Sequence, residues 1–297
     1  MSFELLLVVI VLLIIFAVCE FSLFKKSKNI EALKNQFCKD IPTVISKELQ
    51  IFREHISINE KSKIFVSPNI PIVNPNRWDK IPGIICCFVD MAGSTALSAS
   101  VENDEKLAKI YRLFTETAIR IFNEFDSPYI DVKGDGVFAL FNSDQAYTAL
   151  AATISFKTFV YYYFTPKTMQ ATRKAVGGHF GIDQGDILVR KFGFKRAANR
   201  PDRQNEVWAG QPVNMAAKLS SLSSENQLWM SSRFFEGLDL EGLDSDFDWE
   251  IERKSLKHSG KSFSFDTAYV LCDNWSELHG RSHCQRLLAL NEKLKTY

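Results

Sequence analysis

Two carboxylates stand out by position. Asp90 closes a run of apolar residues, 84–89, and is followed at once by the small residues Ala92, Gly93, Ser94 and Thr95. Asp135 sits between Gly134 and Gly136 in YIDVKGDGVFALF, with strand-like runs on both sides. A carboxylate at a strand end beside glycine leaves room for backbone and ligand to approach each other. Two of them are what a pair of Mg²⁺ or Mn²⁺ ions holding a nucleoside triphosphate requires. Hard cations take carboxylate oxygens and keep open positions for phosphate. Either run alone is an ordinary strand and turn; the pair points to metal-assisted phosphate chemistry.

The elements that must position them follow from the pattern around them. Six apolar residues in a row suit a strand covered on both faces. Ser94 or Thr95 is then expected to cap a following helix. Asp-Gly accepts positive φ, so 129–141 reads as a tight hairpin with Asp135 at its tip. Residues 102–125 alternate charge with Leu107, Ile110, Leu113, Phe114, Ile121 and Phe122, an amphipathic helix. A second helix is expected over 143–164, its Tyr161-Tyr162-Tyr163 run at the core or rim. Residues 175–182 and 186–192 read as a strand pair around Gln184-Gly185. The stretch 193–206, with Lys195, Arg196, Arg200 and Arg203, reads as a solvated loop, the sharper alternative being a phosphate-facing flap. A helix over 212–222 begins with Pro212 near its first position. Strands at 227–230 and 263–271 and a helix at 276–294 complete an α+β domain, with a largely antiparallel sheet flanked by helices. His279 and His283, with Cys284 adjacent, have metal-ligand spacing. No acidic partner lies near them, and a surface helix face is the better reading.

The whole chain sets the frame. Its 297 residues hold one large domain or two small ones, and a net charge of +1 gives no argument for nucleic-acid affinity. Six cysteines without CxxC spacing or a framework pattern suit reducing cytoplasm. The N-terminus differs. Residues 5–19 carry no polar side chain and Phe21–Phe24 extends the run past a single Glu20, with Lys25, Lys26 and Lys28 after it. About 20 apolar residues span a bilayer, and lysines on the far side suit an anchor with its C-terminus in the cytoplasm. The expected order is a transmembrane anchor over 1–26, a helical spacer and proline-rich linker over 27–82, and the main domain over 83–297. Pro42 is expected to interrupt the spacer helix.

Four stretches in order, FVDMAGSTALS, KGDGVFALF, GIDQGDILV and WAGQPVNMAAKLSSLS, resemble the signature blocks of class III nucleotidyl cyclases. The likeness covers roughly 82–271 and is greatest to the pyrimidine cyclases of bacterial anti-phage Pycsar systems. It implies a ferredoxin-like cyclase core, two Mn²⁺ or Mg²⁺ ions per site, and a homodimer with sites at the interface. It also implies an enzyme whose cyclic nucleotide activates a separate effector, and the N-terminal run would anchor that enzyme in the membrane.

By the same likeness, Asp90 and Asp135 are the metal-binding aspartates and Met91 supplies a backbone carbonyl to one ion. The segment from Phe88 through Gly93, Ser94 and Thr95 wraps the triphosphate. Asn214 matches the asparagine that orients the ribose. Lys218, four residues on and so on the same helix face, falls where better-known cyclases place a transition-state arginine. Lysine keeps that charge and loses the bidentate fork, which leaves Arg200 or Arg203 as further candidates. Asp131 stands where adenylyl cyclases place lysine and guanylyl cyclases glutamate, and Val207 where adenylyl cyclases place aspartate. The adenine-reading pair is thus missing. Asp131 is able to accept from uracil N3–H or from the 4-amino group of cytosine, and guanine stays chemically admissible; the resemblance favours UTP over CTP. A catalytically silent cyclase-homology domain, used for dimerisation or nucleotide binding, is the reading of another class. Both metal aspartates being present argues against it.

Overall fold

The computed structural model describes residues 39–64, 76–101, 103–194, 203–224, 226–238, 247 and 249–294, without the side chains of 193–194 and 203–205. The expected anchor, 5–24, lies outside the described residues. Among those described, no helix is long and apolar enough to cross a membrane. The chain divides into two units, 1–56 and 57–297. The first contributes helix α1 (Ile41–Phe52), with Pro42 in its first turn. Pro42 is tolerated there because its missing N–H is unneeded in a first turn and its φ is already helical; residues 29–38 of the expected spacer lie outside the described residues.

In the second unit a nine-stranded sheet carries the site. Its strands are β1 (Ser57–Glu60), β2 (Arg77–Met91), β3 (Tyr129–Lys133), β4 (Gly136–Phe141), β5 (Gly178–Phe194), β6 (Arg203–Gly210), β7 (Leu228–Ser231), β8 (Ile251–Ser255) and β9 (Thr267–Leu271). The main order is β3-β4-β2-β5-β7-β9-β8, with β1 on β2 and β6 on β5. Among the described residues, only the β1–β2 and β5–β7 pairs are parallel. Strand β2 is central, and its apolar run divides by alternation. Ile85, Cys87, Val89 and Met91 join the core with Phe114 and Phe122. Ile84 and Cys86 join a second core with Phe138, Leu140, Trp208 and Ala216. Cover on both faces is why the run is unbroken by polar residues.

Two readings of the strands are corrected. Strand β2 starts at Arg77 rather than at 84, running through Pro82 and Gly83. The register against β5 shifts between Ile81 and Ile84, and Gly83 has φ +64°. A bulge tolerates a residue that cannot donate and one with positive φ. Strand β5 is one continuous strand instead of a hairpin at Gln184-Gly185. Gly185 serves packing there: a Cβ on it would lie 3.3 Å from Pro212 Cγ. Strands β1, β6 and β8 were not expected, and the stretch read as a loop from 193 contributes to the β5–β6 hairpin on both sides.

The helices are α2 (Ser94–Ser100), α3 (Asp104–Glu124), α4 (Ala146–Phe159), α5 (Thr165–Thr172), α6 (Gln211–Ser220), α7 (Ser232–Phe235) and α8 (Gly280–Leu294). Asn103 caps α3 by accepting from Lys106 N, and α3 buries Ile110, Phe114, Ala118 and Phe122 along one stripe. A π-helical turn, Val160–Phe164, joins α4 to α5, so the expected helix runs on past 164; Tyr161, Tyr162 and Tyr163 are exposed on its rim. On the opposite face α6 lies directly on β5. A Cβ at Gly181 would come within 2.1 Å of Ala216 O, so only glycine permits that approach. His283 packs on Phe247, ring centroids 4.7 Å apart, beside His279. No group of three metal-ligating side chains occurs among the described residues.

Candidate active site

Asp90 and Asp135 are brought together by the β2–β4 pairing. Val89 is in register with Val137, which sets Asp90 beside Gly136. A Cβ on Gly136 would lie 3.3 Å from Asp90 Oδ1 and 3.0 Å from Phe88 Cζ. The glycine after Asp135 thus makes room for the other carboxylate and for half-buried Phe88. The positive φ of the hairpin falls on Gly134, +68°, not on the Asp-Gly step. That is the first central position of a two-residue turn, where glycine carries the strain-free left-handed conformation.

The carboxyl of Asp90 is held above the usual aspartate range. Burial is the largest cause and the charge of Asp135 the next, while the Met91 N–H and His179 act the other way. His179 stands opposite Asp90 across β5. Its Nδ1 lies 3.0 Å from Ser223 Oγ. The Ser223 hydroxyl donates to Ser220 O at 2.7 Å and accepts from Phe180 N at 3.3 Å. Its single proton is used, so Nδ1–H is the donor of the histidine contact.

After Asp90 the chain turns quickly. Met91 is buried in the helix-side core, and Ala92 N donates to Gly177 O at 3.1 Å. Gly93, φ +75°, is itself the N-cap of α2, and nothing lies within 4 Å of where its Cβ would be. Ser94 opens the helix and Thr95 follows, exposed; neither side chain makes the cap expected of it. The left-handed glycine turns the chain sharply enough that a hydroxyl cap has no place there.

Asn214 and Lys218 share the outward stripe of α6, opposite the buried Pro212, Met215, Ala216, Leu219 and Ser220. Asn214 is exposed, and Lys218 Nζ donates to Ser262 O at 2.8 Å rather than to either carboxylate. The structure therefore gathers two groups, the carboxylate pair and the Asn214–Lys218 pair, without joining them in one chain. Asp131 ion-pairs with Lys133 at 2.7 Å and accepts from Val132 N at 2.8 Å. It is in register with Phe138, which is in register with Phe88, so the three side chains share a face. Val207, 40% exposed, is in register with Arg190. Arg200 lies outside the described residues, and Arg203 opens β6.

One group near α6 went unread in the sequence. Asp183, fully buried, accepts from Arg233 Nε at 2.7 Å and from its Nη2, and Arg233 Nη1 donates to Gln211 Oε1 at 2.8 Å. An aspartate inside the strand block GIDQGDILV was its signal, since a buried carboxylate needs a paired cation. The fork anchors the N-terminus of α6 and so the stripe bearing Asn214.

No family model matches the chain. It is 31% identical over 73% of its length to a uridylate cyclase from Propioniciclava tarda, covering 67% of that protein. It is 26% identical, again over 73%, to a uridylate cyclase from Micromonospora echinofusca, covering 72% of it. Among solved structures the adenylyl cyclase CyaB from P. aeruginosa superposes with TM-score 0.53 at 21% identity, over 66% of this chain and 96% of that one. The guanylyl cyclase Cya2 superposes with TM-score 0.51 at 18% identity, over 65% and 91%. The structural likenesses establish the fold; the sequence likeness goes further. The chain belongs to the class III nucleotidyl cyclases, in the group whose curated members here bear the name uridylate cyclase.

Proposed function

We propose that the chain converts UTP to 3′,5′-cyclic UMP and pyrophosphate. The observation that carries this is the carboxylate pair, Asp90 with Asp135, intact in a chain related to uridylate cyclases. In the reaction the ribose 3′-oxygen bonds to the α-phosphorus, the bond from that phosphorus to the bridging oxygen breaks, and pyrophosphate leaves with that oxygen. The 3′-hydroxyl gives up its proton.

The donor set fits divalent cations. Two hard carboxylates, with burial and the charge of Asp135 raising the cost of ionising Asp90, are relieved by a cation between them. Asp90, Asp135 and the Met91 carbonyl would hold Mg²⁺ or Mn²⁺, two per site. When bound, such ions neutralise the triphosphate and ease ionisation of the 3′-hydroxyl. The turn at Gly93 presents backbone N–H groups to the phosphates. Asn214 orients the ribose, and Lys218 places a positive charge against the α-phosphoryl oxygens. Because those two side chains face outward on α6, a second copy of the chain delivers them, and the active form is a homodimer. Asp131 reads the base.

Incubation of the protein with each of the four NTPs and Mn²⁺, followed by mass spectrometry, tests the reading. Cyclic UMP is the expected main product, with less cyclic CMP and little cyclic AMP. Cyclic GMP as the main product would replace it with a guanylyl cyclase, which acidic Asp131 also suits.

The apolar run 5–24 is proposed to hold the enzyme at the cytoplasmic face of the membrane, and the resemblance to anti-phage cyclases makes cyclic UMP a signal for a separate effector. Full-length protein is expected to resist carbonate extraction, and cyclic UMP to rise on phage infection. A soluble full-length chain removes the anchor, and a flat cyclic UMP level removes the signalling role.

A further inference from the structure

We infer that the turn 256–266 is a positioning element for the reaction. Its Ser262 carbonyl holds the Lys218 ammonium ready for the α-phosphoryl oxygens without cancelling the charge. The inference rests on the uridylate reading, which gives Lys218 that task, and deepens it.

The starting observation is the partner that Lys218 takes. The side chain is half-buried on α6, and its ammonium donates to Ser262 O at 2.8 Å. It forms no ion pair among the described residues. A carboxylate in that place would neutralise the charge that a phosphate needs. A carbonyl takes one of three N–H donors and leaves two, with the full charge. Lysine is a point charge on a flexible four-carbon stem. Freedom left in that stem must be given up at the transition state, and an anchor removes it beforehand.

The turn is built to keep that carbonyl still. It joins β8 to β9, and Leu256 N donates to Asp266 O at 2.9 Å across its neck. Leu256 is buried with Leu219 of α6, and Phe263 and Phe265 pack against the same cluster. The Arg233 guanidinium lies over the Phe265 ring, 5.4 Å from its centroid. The arginine that ties down the start of α6 therefore touches the turn as well. A second contact runs the other way, with Lys261 Nζ donating to Ser221 Oγ at the C-cap of α6. Two neighbouring residues of the turn thus make one bond from the helix and one bond to it.

Gly260 sets the place of both. Its φ is +71°, and nothing lies within 4 Å of where its Cβ would be. The glycine is needed for its backbone conformation and not for space. Across it, Ser259 Oγ accepts from Lys261 N at 3.4 Å and donates to Lys261 O at 3.3 Å. The turn and Lys218 belong to one chain, so the lysine reaches the partner's carboxylates already oriented.

Gly260→Val on the full chain tests this. A β-branched residue is strained at that φ, so the turn must re-form and carry Ser262 O away. With UTP, kcat is expected to fall roughly 10-fold, as for one hydrogen bond to a charged group, with KM within about threefold. Gly260→Asn tolerates the left-handed region and should keep at least about half of kcat. Lys261→Met removes the second contact without backbone strain, and covers the case in which Gly260→Val fails to fold. It should lower kcat by about twofold or more, again with little change in KM. A readout apart from turnover is acetylation of the Lys218 amine by acetic anhydride, quantified by mass spectrometry on metal-free protein. The released amine should react about threefold faster or more in Gly260→Val than in Gly260→Asn. An unaltered kcat in Gly260→Val or Lys261→Met, an equal fall in Gly260→Asn, or equal acetylation overturns the inference. So does a rise in kcat, which makes the contact a restraint, or a rise in KM alone, which makes the turn a substrate-binding element. Full turnover by Lys218→Met is a separate failure, that of the role given to Lys218, and preference for another NTP is that of the uridylate reading.

Discussion

Asp90→Asn is expected to abolish cyclisation while raising the melting temperature of the metal-free protein. Both effects come from the same carboxylate. With its folded pKa raised above the unfolded value, Asp90 favours the folded state only in its protonated form. The metal-free fold therefore loses stability as pH rises from the ordinary aspartate range through the raised titration, and the loss persists at neutral pH. Asparagine removes the charge, the repulsion from Asp135 and the burial of a carboxylate, at the same size. The same change removes a hard ligand that the proposed cations would require, so turnover should drop by about three orders of magnitude or more. Asp135→Ala should drop it as far, and the double variant little further, because the two act as one unit. Thermal unfolding in chelator and product assays with Mn²⁺ check the two halves separately. Substantial turnover by either single variant would sink the metal assignment. A melting temperature unchanged by Asp90→Asn would show that the carboxylates do not strain the free site.

Mixing two inactive chains, Asp135→Ala and Asn214→Ala, is expected to restore activity from near zero. The argument is geometric. The carboxylates lie at the end of β2 and the β3–β4 turn, while Asn214 and Lys218 occupy the outward stripe of α6, whose inward stripe is sealed on β5 through Gly181. Neither Asn214 nor Lys218 is free to turn inward without lifting α6, which the Asp183–Arg233–Gln211 fork holds down. In the proposed homodimer a second copy is the source of both groups. With random exchange half of the dimers are mixed, and each keeps one complete site of two, so about a quarter of the unaltered turnover should return. Exchange of subunits is followed by native mass spectrometry. Exchange without activity would mean that the sites are not shared.

How much of this was legible differs from element to element. The run 84–89, the Gly-Asp-Gly hairpin and the helix from Gln211 were readable because each is a local signal: continuous apolarity, a turn residue, a proline in a first turn. So was the pair of carboxylates, since metal and phosphate dictate their type and the glycines beside them. The four blocks in order carried the family. Other features depend on what comes to lie alongside. Gln184-Gly185 has the composition of a turn, but α6 needs its flatness, and packing overrode the local preference. Pro82 and Gly83 look like a linker until β5 pairs with them and turns them into a bulge. The cap at α2 went to Gly93, because the chain must reverse within two residues of Asp90. Asp183 in its strand gave no hint that its partner lay fifty residues away at Arg233. The sequence alone singled out the candidate groups for the proposed chemistry, through their types and their immediate neighbours. Only the tertiary structure decided which of them meet, because side-chain direction on a sheet is set by register, and register is set by strands distant in the chain.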